Sequence, residues 1–128
     1  MTDASRWIAV VDDDPAVLKG LSRLLRSRAL RPRTFESGQK FLSTLSEGLP
    51  DCLIVDLQMP EMNGVELQQH LIRNGLQIPT IVITAHGDAT VRERCEAAGA
   101  IAFLLKPVQD ISLFEAINTA MRIAGARA

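Results

Sequence analysis

The sequence predicts an α/β fold: a five-stranded parallel sheet wound on both faces by helices, a (βα)5 domain covering residues 1–128. Three observations carry this. Short apolar runs alternate with helically spaced apolar stripes five times, with brief connections between them, the pattern of repeated βα units. The runs assigned to strands one, three, four and five are continuous rather than alternating, which marks parallel strands covered on both sides. The chain has 128 residues, 47% hydrophobic and 23% charged, a length and composition suited to one ordinary globular domain.

Each element has a local reason. Trp7–Val11 forms the first strand. Asp14 caps the helix that follows and Pro15 takes its first position, where the missing N–H does no harm. The inward stripe of that helix is Val17, Leu18, Leu21, Leu24 and Leu25. Arg31–Phe35 reads as a second strand, but Pro32 and its flanking arginines belong on an exposed edge. Ser37 caps a short helix with Phe41, Leu42 and Leu45 inward. Cys52–Asp56 is the third strand, and a Pro/Gly-punctuated loop, Met59 to Gly64, leads to a helix with Leu67, Leu71 and Ile72 inward, ending near Gly75. Thr80–Thr84 is the fourth strand. Asp88 caps a helix with a thin inward face of Val91, Cys95 and Ala98, and Gly99 suits its C-terminal turn. Ala102–Lys106 is the fifth strand. The last helix starts near Asp110 or Ser112, the latter having capping-box spacing to Glu115, and turns Leu113, Ile117 and Met121 inward. Gly125-Ala126-Arg127-Ala128 reads as the start of a linker.

Several function classes are excluded. The net charge of −1 argues against whole-chain attraction to nucleic acid or an anionic membrane. No apolar run approaches the roughly 20 residues of a membrane span. Met1-Thr2-Asp3-Ala4-Ser5 lacks the basic and apolar regions of a signal peptide. Cys52 and Cys95, the two cysteines, read as small buried apolar residues, so the expected setting is reducing and cytoplasmic.

The chemistry gathers at strand ends. Asp12 and Asp13 end strand one, Asp56 ends strand three, Thr84 strand four and Lys106 strand five. If the strand order is 2-1-3-4-5, strands one and three flank the topological switch point, where open α/β sheets bind ligands. Two like charges about 4 Å apart repel by roughly 4 kcal/mol at an effective dielectric of 20. An all-oxygen acidic pocket therefore calls for a hard cation, with Mg2+ the first choice.

Val10-Val11-Asp12-Asp13, Asp56-Leu57-Gln58-Met59-Pro60, Gly64, Thr84-Ala85 and Lys106-Pro107, in that order and spacing, resemble the response-regulator receiver domains of two-component signalling. The resemblance covers essentially the whole chain. Ile83-Thr84-Ala85-His86-Gly87-Asp88 is similar to the FixJ-type receivers, which commonly precede a helix-turn-helix DNA-binding domain.

The resemblance implies a flavodoxin-like fold and a set of roles. Asp56 is the phosphorylated nucleophile, taking its phosphoryl group from a histidine kinase. Asp13, Asp56 and the main-chain carbonyl of Gln58 bind Mg2+ directly, with Mn2+ the alternative ion, and Asp12 binds it through water. Lys106 pairs with Asp56 or the phosphoryl group, and a cis Lys106–Pro107 bond aims it inward. Small Ala85 leaves the phosphorus open to its donor. Thr84 senses the phosphoryl oxygens, and Phe103 swings inward to reshape the face of helix four, strand five and helix five. That face controls transcription through a fused DNA-binding output, which is not in this chain, and forms a homodimer. The chain then acts on itself alone and is not an enzyme toward other substrates.

Plainer readings stand beside these. Capping accounts for Asp14. Arg23, Arg26, Arg28, Arg31 and Arg33 either dock an acidic partner or form a solvated face that complements the helix dipole, and the solvated face is favoured. His70 and His86 read as surface residues. Three rival functions are weighed. A phosphate-independent interaction module of the same fold is disfavoured by the intact acids, Thr84 and Lys106, while a stand-alone receiver stays open beside one with a fused output. A D-x-D phosphatase lacks room for a cap domain. A flavin carrier would place its phosphate against three acids.

Overall fold

The structure, a computed structural model, describes residues 6–126. The N-terminal residues Met1 to Ser5 and the tail residues Arg127 and Ala128 lie outside them. The elements run β1 (Ile8–Val11), α1 (Pro15–Ser27), β2 (Pro32–Phe35), α2 (Gly38–Leu42), a 3-10 turn (Leu45–Glu47), β3 (Cys52–Asp56), α3 (Gly64–Arg73), β4 (Thr80–Thr84), α4 (Ala89–Ala97), β5 (Ala100–Leu105) and α5 (Asp110–Ala126). All strand pairs are parallel and the order is β2-β1-β3-β4-β5, as expected.

The continuous apolar runs find their reason in the two cores. Successive strand residues point to opposite faces. Ile8, Val10, Ile54, Ile81 and Ile83 meet Leu18, Leu21 and Leu25 of α1 and Leu113 and Ile117 of α5. On the other face, Ala9, Val11, Leu53, Val55 and Val82 meet Phe41, Leu67, Leu71 and Cys95 from α2, α3 and α4. Both faces of the inner strands are thus dry, and the buried polar residues of β3 and β4, Asp56, Thr80 and Thr84, stand at strand ends.

Caps form where the sequence places them. Asp14 accepts from Ala16 N–H, Ser37 from Lys40 N–H and Asp88 from Val91 N–H. Asn63, unremarked in the sequence, makes a reciprocal capping box with Glu66 at the start of α3. Both cysteines are free and buried, and burial pushes both thiols up in pKa, which suits inert packing residues.

Several boundaries and faces differ from expectation. Strand five covers Ala100–Leu105, not Ala102–Lys106. Gly99, at φ 97°, turns the chain tightly enough to bring Ala100 beside Thr80, with the irregular register falling between Thr80 and Ile81. Ile72 is 56% exposed, because it lies about 100° round the helix from Leu71. The inward positions of α3 are Val65, Leu67, Gln68 and Leu71. Leu45 falls in the 3-10 turn and packs only partly against the core. Trp7 precedes β1, its N–H donating to Asp51 at 3.1 Å. Gly125 and Ala126 continue α5, while Arg127 and Ala128, the rest of the expected linker start, lie outside the described residues.

Gln68 is the unexpected residue. It is 2% exposed, and its Nε2 donates to the carbonyls of Ala98 and Cys95 at 3.1 and 3.3 Å. It thereby ties α3 to the C-terminal end of α4, a helix in which only Cys95 is buried. Its Oε1 is the only buried side-chain polar atom without a hydrogen bond among the described residues. An unsatisfied buried acceptor costs about 1–3 kcal/mol, while each neutral bond contributes about 0.5–1.5 kcal/mol. The two effects oppose each other. Gln68→Met is therefore expected to lower stability by no more than about 1.5 kcal/mol. A loss well beyond that in urea unfolding would show that Oε1 is satisfied in solution.

Candidate functional site

The register of the sheet builds the site. Val11 lies beside Val55 in the β1–β3 ladder, so the next residues, Asp12 and Asp56, emerge side by side at the carboxyl edge. Oxygens of Asp12, Asp13 and Asp56 all lie within 4.8 Å of one another. Asp12 and Asp56 are buried and Asp13 is exposed. Neither His70 nor His86 joins this cluster among the described residues.

Asp12 is already engaged through both oxygens. Oδ1 accepts the N–H of Asp14 at 2.9 Å and Oδ2 accepts Lys106 Nζ at 3.0 Å. Asp56 has longer contacts than Asp12, and Asp13 is exposed. The Gln58 N–H lies 3.4 Å from Asp56 Oδ1. Lys106 follows β5, and its own N–H donates to the Thr84 carbonyl at 2.8 Å, which carries the ladder one residue further. Its Nζ also pairs with Asp56 Oδ2 at 3.6 Å, the expected partner, although it lies closer to Asp12. The Lys106–Pro107 bond is cis.

The charge balance is uneven: three carboxylates face one ammonium. Burial pushes the Asp56 carboxyl up from the ordinary range, the charge of Asp12 adds to this, and Lys106 and the Gln58 N–H take back only part of it. For Lys106, burial lowers the pKa, but the hydrogen bond and charge of Asp12, together with Asp56, outweigh it and the net shift is upward. Lys106 is therefore charged at neutral pH. An oxygen-rich, net-negative pocket of this kind has the donor chemistry of a hard divalent cation site.

Thr84 is fully buried at the end of β4. Its hydroxyl donates to the His86 carbonyl at 3.0 Å and accepts the His86 N–H at 3.2 Å. It is thus held by the loop ahead of α4. Phe103 is half-buried and packs against the second core face. Its ring covers Gly87: a Cβ there would stand 2.6 Å from Phe103 Cζ. Gly64 is similarly required, since a Cβ would come within 3.0 Å of the Asp56 carbonyl. That close approach, with Gly64 N–H donating to the Leu57 carbonyl at 2.9 Å, fixes the loop beside Asp56.

A doubly wound sheet with two adjacent acidic strand ends and an opposing lysine defines a phosphoryl-handling α/β domain. The comparisons with known proteins make the class specific. Residues 8–118 match the family described as the response regulator receiver domain, and the chain belongs to that family. It is 44% identical over 124 residues to the response regulator protein TmoT of Ectopseudomonas mendocina, covering 97% of this chain and 56% of that one. It is 37% identical over 120 residues to the transcriptional regulatory protein FixJ of Rhizobium meliloti, covering 94% and 58%. The crystal structure of FixJ-N superposes with a TM-score of 0.86 at 35% identity, covering 95% of this chain and 96% of that one. The chain thus spans little more than half the length of these curated relatives.

The raised Asp56 pKa has a stability consequence. A carboxyl whose folded pKa exceeds its unfolded value favours the fold while protonated, and that advantage is lost as pH rises through the folded pKa. At neutral pH, without divalent cations, ionised Asp56 is destabilising. Asp56→Asn is expected to raise the thermal midpoint there, and the gain should vanish below the ordinary carboxylate range. A midpoint lowered by the substitution at neutral pH, in chelator, would contradict the repulsion.

Proposed function

We infer that this chain is a phosphorylation-driven signalling switch that takes a phosphoryl group from a histidine kinase onto Asp56. The observation that carries the reading is the meeting of Asp12, Asp13 and Asp56 with Lys106 at the switch point of the sheet. Mg2+ is the proposed ion, with Mn2+ as the alternative. Asp13, Asp56 and the Gln58 main-chain carbonyl hold it, and Asp12, whose oxygens are engaged, acts through water. When bound, the ion offsets charge on the transferring group. Lys106, cationic and within 3.6 Å of Asp56, steadies the phosphoryl oxygens. Exposed Ala85 leaves the donor a path.

Phosphorylation adds about −1.5 to −2 charge and three acceptor oxygens. Thr84 then exchanges its bonds with His86 for one to the phosphoryl group, which releases the loop on which Phe103 rests. Phe103 turns inward and the α4–β5–α5 face changes shape. Shifting a 1:99 equilibrium to 99:1 needs roughly 5.5 kcal/mol, within reach of two or three charge-assisted hydrogen bonds at about 1.5–3 kcal/mol each. Leu105 and Ile111, 54% and 75% exposed, supply apolar surface for a homodimer through this face. The output is transcriptional control through a DNA-binding segment of a longer protein, as the regulatory names of the relatives suggest. The chain works in the cytoplasm and turns over no substrate beyond its own phosphoryl group. No helix among the described residues is long and apolar enough to cross a membrane.

Incubation with Mg2+ and acetyl phosphate should add a single acid-labile, hydroxylamine-sensitive phosphate, detectable by intact mass. Asp56→Asn or chelation of the metal should abolish it; equal labelling of that variant would refute the assignment.

A further inference from the structure

The flank formed by α1, β2 and α2 carries a second charged feature, opposite in sign to the acid pocket. Lys19, Arg23 and Arg26 come from α1, Arg33 from β2, Arg31 from just before it, and Lys40 from α2. All six are exposed, and they are six of the 14 lysines and arginines in a chain of net charge −1. None of them forms an ion pair among the described residues, where the pairs run between Arg6 and Asp51, Arg92 and Glu96, and Lys106 and its two acids.

They line two concave surfaces. One, of about 690 Å³, lies between α1 and the β2–α2 segment, with Lys19, Arg23, Arg26 and Lys40 at its walls and Leu18 and Phe35 among its apolar lining. The other, of about 360 Å³, lies at the start of β2, with Arg31 and Arg33 beside Trp7, Leu30 and Pro32. Arg26 lines both and joins them. Arg33 is oriented in advance, its guanidinium 5.0 Å from the Trp7 ring centroid and 5.6 Å from that of Phe35. Glu36 is the lone acid in either lining.

We propose that this flank is a docking surface for an acidic, partly apolar segment of a partner polypeptide, separate from the phosphoryl site. Unpaired cations over an apolar floor complement alternating carboxylates and apolar side chains. The contact is made by side chains: Pro32 lies in β2, the edge strand, and limits main-chain pairing there. A nucleic acid strand fits less well. Its uninterrupted negative charge would run on past Pro15 toward exposed Asp13 and Asp14, which repel it.

The test is fluorescence anisotropy with a labelled peptide of about a dozen residues, alternating Glu or Asp with Leu or Phe. The reference probes are the same peptide with Gln for each acid, and oligo-dT of similar length. The acidic peptide should bind, weaken about tenfold or more between low and physiological salt, and shift the emission of Trp7, the only tryptophan. Arg26→Glu with Arg31→Glu should weaken it at least about tenfold. Arg73→Glu with Arg94→Glu, an equal change in net charge on α3 and α4, should weaken it less than about threefold. Acetyl phosphate labelling confirms that each variant is folded. Absence of peptide binding, equal weakening by both pairs, or oligo-dT binding as tightly as the peptide would each overturn the proposal.

Discussion

Forced proximity of Asp12, Asp13 and Asp56 is the constraint on which the site depends. Like charges at this range repel by roughly 4 kcal/mol even at an effective dielectric of 20. The strands cannot part to relieve it, because β1 and β3 are held in register from Ile8 beside Cys52 to Val11 beside Val55, and both are buried on both faces. The sheet therefore holds the acids together against their own field. Lys106 offsets part of that field and leaves a net negative pocket. The upward shift of Asp56 is a local measure of what remains. A cation and a transferring phosphoryl group enter a site whose unfavourable charge has already been fixed in place by folding.

Change in the pocket has a short route outward. The Thr84 carbonyl is bound to Lys106 N–H, and the Thr84 hydroxyl holds His86. Gly87, the next residue, lies under the Phe103 ring, and Asp88 caps α4. The two ends of α4 are secured by different means. Its C-terminal end has Cys95, Ala98 and the Gln68 amide, whereas its N-terminal end rests on this loop and on half-buried Val91. A rearrangement at Thr84 thus reaches α4 at its less firmly held end, where buried contacts are fewest.

The sheet was legible because its inner strands are buried on both faces, and that requirement writes itself as unbroken apolar runs. The acid pair, Asp56, Thr84 and Lys106 were legible for a related reason, as polar residues that terminate such runs. The misses share a cause: a side chain's direction or partner is settled by neighbours distant in sequence. Spacing alone points Ile72 inward, but Gln68 takes the inward position one turn earlier. A polar residue three positions from both Val65 and Leu71 was the available sign of a buried hydrogen bond. The closer approach of Lys106 to Asp12 than to Asp56 depends on distances within the folded pocket. The start of β5 at Ala100 depended on the register irregularity beside Thr80, which no strand propensity encodes.

Net charge is the property that conceals most in this chain. A value of −1 hides both an acidic carboxyl edge and a basic flank. Helix α1 joins them and tolerates both. Asp14 satisfies the N–H of Ala16 at its start and Arg26 lies in its last turn, each on the side its dipole favours. The dipole explains Arg26 and contributes to Arg28, which also stacks 4.2 Å from the Phe114 ring centroid. It does not explain Arg31, Arg33 or Lys40. These come from other elements, beyond the reach of the α1 dipole, and line the two concavities that Arg26 joins, Lys40 the first and Arg31 and Arg33 the second. A solvated helix end would account for a basic terminus; it does not account for three separate elements bringing cations without ion pairs to two adjoining concavities.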